Sequence, residues 1–543
     1  MIYITFFEKF YLTPVNFSDK DCFNQEVLLE RFVKLLVLLS TAIITIYGCG
    51  KSNSKKFIVV KNFTVVPDHS SLFGNIKIEI FSESFPAGIT SVKVTIAGKP
   101  LYNLQYSGGK IEGYVEGNEK PGRFDIKVFT NRGNFLLPTA FKYEPLRYPA
   151  FRKMVAVGAS YTHGFISMGL EWNLQLYSPF AQVAKQAGAY FPQALVVKGI
   201  LPPQDIRTFF QKCTDTSVTQ FPIRRIMRTF RLLKSSNHNL FTLATYRVDP
   251  YLQVYNAGIG GATIQDTVEG ATKGRIPALA VLENLSYNPF TDIYFAFSDP
   301  PQGSPFKYAV SLHPTILFST DLYADDILEF ALMDGTPSLS SITPVSTVKR
   351  ELQKMFTIMK ENNIMGFIAN MPDITMMPLV KKMKDALLQK GYSEEDVNKW
   401  WKGLKSISAQ YSMAFTEEAK KFDNIHIVDF RGYLEKMKKS RENGESYKME
   451  GGIIIRDGGV VIGNQIFTND FLDGLVSLDA VHLTYTGYAL IADMFIATVN
   501  KDLGYDIPYI DLEKIAEIDP LNPETLKKEG FDMDECRRRY WGE

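Results

Sequence analysis

The chain is poor in the residues that metal centres and disulfide scaffolds require. Its 543 residues include four cysteines, Cys22, Cys49, Cys213 and Cys536, and six histidines. No Cys-x-x-Cys or His-x-x-x-His spacing occurs, so the sequence implies neither a zinc cluster nor a disulfide framework, and it indicates no metal and no organic cofactor. A surplus of charge is lacking too. The 60 Lys and Arg stand against 59 Asp and Glu, and a formal net charge of +1 offers no field for nucleic acid. A long apolar run is also missing. Leu35–Tyr47 is uncharged and mostly apolar but too short for an ordinary membrane span.

What is present is enough apolar sequence for two or three domains with real cores, 45% hydrophobic against 22% charged. The Leu35–Tyr47 run comes after Arg31 and Lys34, as the apolar region of a signal peptide comes after a basic one. It ends in Ile46-Tyr47-Gly48-Cys49, which resembles the lipobox of bacterial lipoproteins, although Tyr47 stands where a small or aliphatic residue is usual. That resemblance implies cleavage before Cys49, a lipid anchor on it, and export to a bacterial membrane. A buried apolar helix of the mature fold is the alternative. Residues 50–56 read as a polar tether.

From Phe57 to about residue 145 the pattern is strand and turn. Ile76-Lys77-Ile78-Glu79-Ile80 and Val92-Lys93-Val94-Thr95-Ile96 alternate apolar and polar, and strands are expected over Lys110–Val115, Arg123–Thr130 and Phe135–Tyr143. This predicts an all-β sandwich of the immunoglobulin type. Val92 to Gly98, Pro121 to Val128 and the closing Phe141-Lys142-Tyr143 resemble an IPT/TIG domain, which implies a spacer or a module for a glycan or protein partner.

Beyond Pro145 strands alternate with helical stretches, the mark of an α/β domain with a parallel sheet. Met154–Val157 reads as a buried strand that stops at Gly158-Ala159-Ser160, a turn between small residues able to hold a nucleophile at the carboxyl end of a strand. Ser178 to Gly188 is expected as the first helix, and about 200–250 as an insertion. Within the insertion, Ile223–Lys234 is basic and amphipathic, either a solvated face or a lid or membrane-surface element. Later come Tyr255 to Ile264 with its glycines, the strand Pro314–Phe318 with Asp321 to Asp326 after it and a helical stretch from Ile327, the strand Met365–Asn370, and Asp479-Ala480-Val481-His482 before a helix over Tyr485–Asn500.

Taken in order, these islands resemble the SGNH, or GDSL-type, hydrolases over about residues 150–505. The resemblance implies a three-layer αβα, flavodoxin-like parallel sheet and a serine esterase or acylhydrolase. In it Ser160 is the nucleophile, His482 the base, Asp479 its orienting acid, and Ser160, Gly261 and Asp325 the oxyanion positions. The substrate class would be a carboxylic ester of a lipid, an acetylated glycan or a small molecule. Two departures stand out. Ala159 replaces the aspartate that precedes the serine. Tyr323-Ala324-Asp325-Asp326 stands where Gly-x-Asn-Asp is usual, so a carboxyl group occupies the place of the asparagine donor, and an ionised carboxylate repels an oxyanion. A protonated Asp325 could restore the donor. Two other readings are open: a catalytically impaired surface protein that binds ligand or glycan without turnover, and an adhesion or scaffold protein acting through its IPT/TIG domain. His163, three residues past Ser160, suits a supporting or substrate contact better than a general base. His69, His238, His313 and His426 read as structural or exposed. Residues 506–543 read as a charged tail that a Cys213–Cys536 disulfide would tie to the insertion.

Overall fold

The computed structural model describes residues 56–199, 202–212, 247–249, 252–270, 304–333 and 336–541. The leader with Cys49, residues 50–55 of the tether, Cys213, His238 and the basic stretch 223–234 lie outside the described residues, as does most of the insertion.

The alternating stretches of the N-terminal region form strands for the reason their pattern gives. In Ile76–Phe81, Ile78 and Ile80 turn inward while Lys77 and Glu79 face water. This strand pairs antiparallel with Lys110–Val115 in a four-stranded sheet. Val92–Ile96, Gly122–Thr130 and Gly133–Tyr143 belong to a six-stranded sheet. Both sheets contribute to one apolar core, with Ile78, Ile80 and Ile111 from one and Val94, Ile126 and Phe141 from the other.

Specific contacts join the β-rich region to the α/β part. Trp172 sits edge-on against Tyr102 and Tyr114, with ring centroids 5.4 and 4.9 Å away. Lys99 Nζ donates to the Gly117 carbonyl (2.6 Å) and meets the Tyr190 hydroxyl at 3.0 Å. A cavity of about 20 Å³ lies there, lined by Lys99, Glu116 and Tyr190 among others.

The α/β part is built on five parallel strands: β1 (Met154–Gly158), β2 (Asn256–Gly258), β3 (Ile316–Ser319), β4 (Met365–Ala369) and β5 (Ile425–Val428). Their order is β2-β1-β3-β4-β5. β1 is buried throughout, as a strand covered on both faces must be. Side-chain alternation shows the two covers. Phe318 of β3 and Phe367 of β4 stack, and Phe318 meets Phe180 of helix Pro179–Ala187 and Phe495 of helix Tyr485–Leu503. Gly366, facing the other way, leaves room for Met359 of helix Val345–Glu361; a Cβ there would lie 2.6 Å from the Met359 methyl. The chain therefore places helices on both sides of the sheet, and the strand order reverses between β1 and β3, where ligands bind in open α/β sheets.

Several elements were not anticipated. β5, the helices Pro378–Gln389, Glu394–Ala419 and Phe430–Asn443, and a second five-stranded sheet from Tyr447 to Val476 lie between the last two sequence islands. The charged C-terminal stretch is not a loose appendage. It forms helices Leu512–Ile518, Pro523–Lys528 and Met533–Trp541, buries Ile507, Ile510 and Ala516, and sends the Asp519 carboxyl to cap the start of helix Tyr485–Leu503 through Thr486 N–H (2.9 Å) and its hydroxyl (2.7 Å). Cys536 is disulfide-bonded, its partner lying outside the described residues.

Candidate active site

Three strand ends meet where the sheet order reverses. After β1, Ser160 opens the short helix Ser160–His163 and is half-buried, whereas Ala159, Tyr161, Thr162 and His163 are buried. The sharp turn is held from behind by Asp321, just past β3. Its carboxyl accepts from the N–H groups of Ala159 (3.0 Å), Tyr161 (2.7 Å) and Thr162 (3.4 Å), and from the hydroxyls of Thr162 (2.7 Å) and Thr320 (2.9 Å). The Ser160 N–H takes no part in this cradle. Gly158 is required by the same contact, since a Cβ there would lie 2.6 Å from Asp321 Oδ1 and 2.4 Å from Thr162 Oγ1. Ala159 contributes no carboxylate to the turn, and Asp321 supplies one from the neighbouring strand.

Asp479 and His482 occupy the loop between strand Gly474–Val476 and helix Tyr485–Leu503. Asp479 Oδ2 meets His482 Nδ1 at 2.8 Å, both residues being buried. Ala480 adopts a φ of +64°, which folds the loop back so that Asp479 Oδ1 accepts the N–H groups of Val481 (2.9 Å) and His482 (2.8 Å). The N–H of Met168 donates to Oδ2 at 2.6 Å. Burial opposes ionisation of Asp479, yet His482 and these N–H donors hold its carboxyl below the ordinary carboxylate value. An ionised Asp479 assigns the Nδ1–H tautomer to His482 and leaves Nε2 as an acceptor; Nε2 is buried and makes no hydrogen bond.

The chain segment after Ser160 and the Asp479–His482 loop form one body. The His482 ring stacks on Phe165 (centroids 5.6 Å apart) and touches Tyr161 (5.9 Å). The Tyr161 hydroxyl donates to the Val481 carbonyl at 2.6 Å, and the Tyr488 hydroxyl to the Phe165 carbonyl at 2.6 Å. Ser167 N–H meets Ser477 Oγ at 3.0 Å, and Leu478 N–H meets Ser167 Oγ at 3.3 Å. No hydrogen bond joins Ser160 Oγ to His482.

After β2 the chain passes through Gly261 at φ +81° into helix Ile264–Glu269, which Thr263 and Asp266 cap reciprocally. Asn256 ties this strand to the Ser160 helix, its Nδ2 donating to the Thr162 carbonyl at 2.8 Å. His163 is packed underneath. Its Nδ1 accepts from Gly260 N–H at 3.4 Å, and burial pushes its pKa down to about 3. It is thus a neutral, supporting residue.

Asp325 lies in the first turn of helix Ala324–Met333, which begins three residues before the helical stretch expected from Ile327. The side chain is half-buried, but Oδ2 is sealed from solvent and has no hydrogen-bond partner. Burial, then the neighbouring Asp321, Asp326 and Asp266, push its carboxyl well above the ordinary carboxylate range, while the Gly261 N–H, which bonds to it, acts in the opposite sense. Asp326 is turned away, accepting Ile264 N–H at 2.7 Å, and burial raises it to about 7. Tyr323 points inward and donates to the Asn370 carbonyl at 2.8 Å.

No family model matches this chain, and no curated protein sequence matches it. Among solved structures it is similar to a carbohydrate acetylesterase from Xanthomonas citri. Identity is 10% and the TM-score 0.18, over 65% of this chain and 73% of that one. A superposition this loose carries no weight for the chemistry, which rests on the geometry of the site itself.

The structure thus brings Ser160, Gly261 and Asp325 to the ends of three adjacent strands and folds Asp479 and His482 against the Ser160 turn. Sequence reasoning missed Asp321. An aspartate just past a buried parallel strand was the available signal, but only the pairing of β1 with β3 shows that it reaches the Ser160 turn.

Proposed function

We propose that this protein is a serine hydrolase of carboxylic esters of the SGNH type, in which Ser160 is acylated and then hydrolysed. The observation that carries this reading is the buried Asp479–His482 pair, 2.8 Å apart, packed through Tyr161 and Phe165 against the turn that presents Ser160. In the first half-reaction Ser160 Oγ bonds to the ester carbonyl carbon while its proton passes to His482 Nε2, and the carbonyl becomes an alkoxide. Collapse breaks the bond to the leaving alcohol, which takes the proton from His482. Water repeats the sequence on the acyl-serine. Asp479 holds the ring and stabilises the imidazolium. The N–H of Ser160 is the backbone donor assigned to the oxyanion, and that of Gly261, which bonds to the Asp325 carboxyl in this structure, joins it only when substrate displaces that bond.

On the same reading the β-rich region is an immunoglobulin-like IPT/TIG spacer or binding module, and Cys49 carries a lipid anchor on an exported protein. The reading is tested by labelling the chain with a fluorophosphonate and measuring p-nitrophenyl acetate and butyrate turnover. Label on Ser160, with label and turnover lost in Ser160→Ala, is the expected result; an unlabelled, folded protein sinks it. Two observations favour a second reading, a protein that binds its ligand without turnover: Ser160 and His482 share no hydrogen bond, and a carboxyl stands at the third donor position. Retained ligand affinity without covalent labelling would support that alternative.

A further inference from the structure

Among the described residues five groups donate to the Asp479 carboxyl. Four belong to its own loop: Ser477 Oγ, the N–H groups of Val481 and His482, and the His482 ring. The fifth, the Met168 N–H, comes from 311 residues away and meets Oδ2, the oxygen that also holds the His482 ring. A tight turn delivers it. Ile166 and Gly169 exchange backbone hydrogen bonds (3.1 and 2.9 Å), and between them Ser167 at φ +50° and Met168 at φ +56° both lie in the left-handed region, as a type I′ turn demands. Glycine and asparagine take that conformation readily. Serine and methionine hold it only where their surroundings impose it.

Those surroundings act from two sides. On one, Ser167 is fastened to the Asp479 loop through Ser477 and Leu478. On the other, the first residues of the insertion lie against the turn: Gln204 N–H donates to the Ser167 carbonyl at 2.9 Å, and the Pro203 backbone approaches Gly169 so closely that a Cβ there has no room. Helix Ile206–Lys212 follows directly. Its Phe209, 4% exposed, shares an apolar cluster with Leu478 and Ala480, the residues on either side of Asp479. Residues 203–209 therefore grip Asp479 twice, through the turn that donates to it and through its two chain neighbours.

We propose that residues 203–209 and the Ser167–Met168 turn form a brace for Asp479, in which Met168 and Phe209 are positioning residues that keep Oδ2 aimed at His482 Nδ1. This rests on the reading of Asp479 and His482 as the acid and base that serve Ser160. Both residues act through Asp479. The Met168 N–H shares Oδ2 with the imidazole, so it fixes the carboxylate and also draws off part of the charge that stabilises the imidazolium. The titratable groups that face the pair are the phenols of Tyr161, on helix Ser160–His163, and Tyr488, on helix Tyr485–Leu503. Burial pushes both well above the ordinary phenol value, so neither titrates with the base.

The test measures kcat and KM for p-nitrophenyl acetate and the rate of fluorophosphonate labelling on the full chain, from about pH 5 to about pH 9, in the parent, Gly169→Ala and Phe209→Ala. Gly169→Ala pushes the turn off Pro203 and takes the Met168 N–H away from Asp479. Its kcat should fall ~10-fold at unchanged KM. The acid limb of its labelling rate, where the base loses its proton, should move up by about half a pH unit, because Oδ2 then keeps more charge for the imidazolium. Phe209→Ala should also lower kcat ~10-fold at unchanged KM, and it decides the matter if Gly169→Ala does not fold. Folded variants with the parent's kcat, or with a change in KM alone, overturn the brace and leave the esterase reading standing, as does a Gly169→Ala acid limb that stays in place. A folded parent that is never labelled overturns the esterase reading and the brace with it.

Discussion

The residue that decides most about this site is Asp321. Five N–H and O–H groups converge on its carboxyl, and three of them are N–H groups of the turn that carries Ser160. Asp321→Ala strands the N–H groups of Ala159 and Tyr161 in a buried environment. A destabilisation of about 2–4 kcal/mol by urea denaturation is expected, together with loss of Ser160 labelling. Asp321→Asn keeps one acceptor oxygen and should cost less. Equal losses in the two variants would show that one oxygen alone cannot hold the cradle. Gly158→Ala tests the same contact from the other side, because its Cβ has no room against Asp321 Oδ1 and Thr162 Oγ1. Labelling of Ser160 should fall at least ~10-fold in a protein that still folds, and unchanged labelling would mean that the turn tolerates displacement.

At the scale of elements, the short helix Trp172–Gln175 connects the β-rich region to the site. Trp172 packs on Tyr102 and Tyr114, while the segment before it carries Ser167 and Met168, which bond to Ser477 and Asp479. Trp172 is half-buried, so Trp172→Ala should destabilise by about 1–3 kcal/mol in urea denaturation, and it should lower kcat for ester turnover more than it raises KM, because it loosens the loop that feeds an N–H to Asp479 rather than the substrate contacts. A change in KM alone would place the helix in substrate binding instead. Much at this scale is legible in the sequence. Ser178 and Gly188 flank helix Pro179–Ala187 as its caps, and the alternation in Ile76–Phe81 and Val92–Ile96 marks their buried faces. The strands between Tyr447 and Val476 are not, because runs such as Ile454–Arg456 and Gly459–Ile462 are only 3 and 4 residues long and too short to establish an alternating period.

For the whole molecule, buried carboxyls set the pH dependence of stability. Burial raises Glu116, beside the junction cavity, to about 7, with Lys99 opposing, and raises Asp493 to about 7, with the Ile510 N–H opposing. A carboxyl whose pKa is higher in the folded state makes that state bind more protons between the two values. Its contribution is therefore fully present below about pH 4 and lost as pH rises through about 7. Each such group contributes on the order of 3 kcal/mol across the window. The urea midpoint should thus fall between about pH 5 and about pH 8. Glu116→Gln and Asp493→Asn should each flatten part of that fall, and a parent midpoint that rises over the same interval would contradict the assignment. The Cys49 anchor is tested at this scale as well, by partition of the full chain into a detergent phase, expected for the parent and lost in Cys49→Ser.

What the sequence determined by itself was local: an apolar run ending at Gly158-Ala159-Ser160, an Asp-x-x-His before a late helix, alternating strands ahead of an α/β pattern. These are short-range periodicities and turn chemistries, and they survive without knowledge of neighbours. The tertiary structure alone decided which groups surround them. Pairing of β1 with β3 brings Asp321 under the Ser160 turn from 160 residues away in sequence, and the ends of β2 and β3, on either side of β1, put Gly261 and Asp266 beside Asp325. Whether a carboxyl is a charge or a donor depends on burial and on the charges beside it, and both are properties of the folded neighbourhood rather than of the residue.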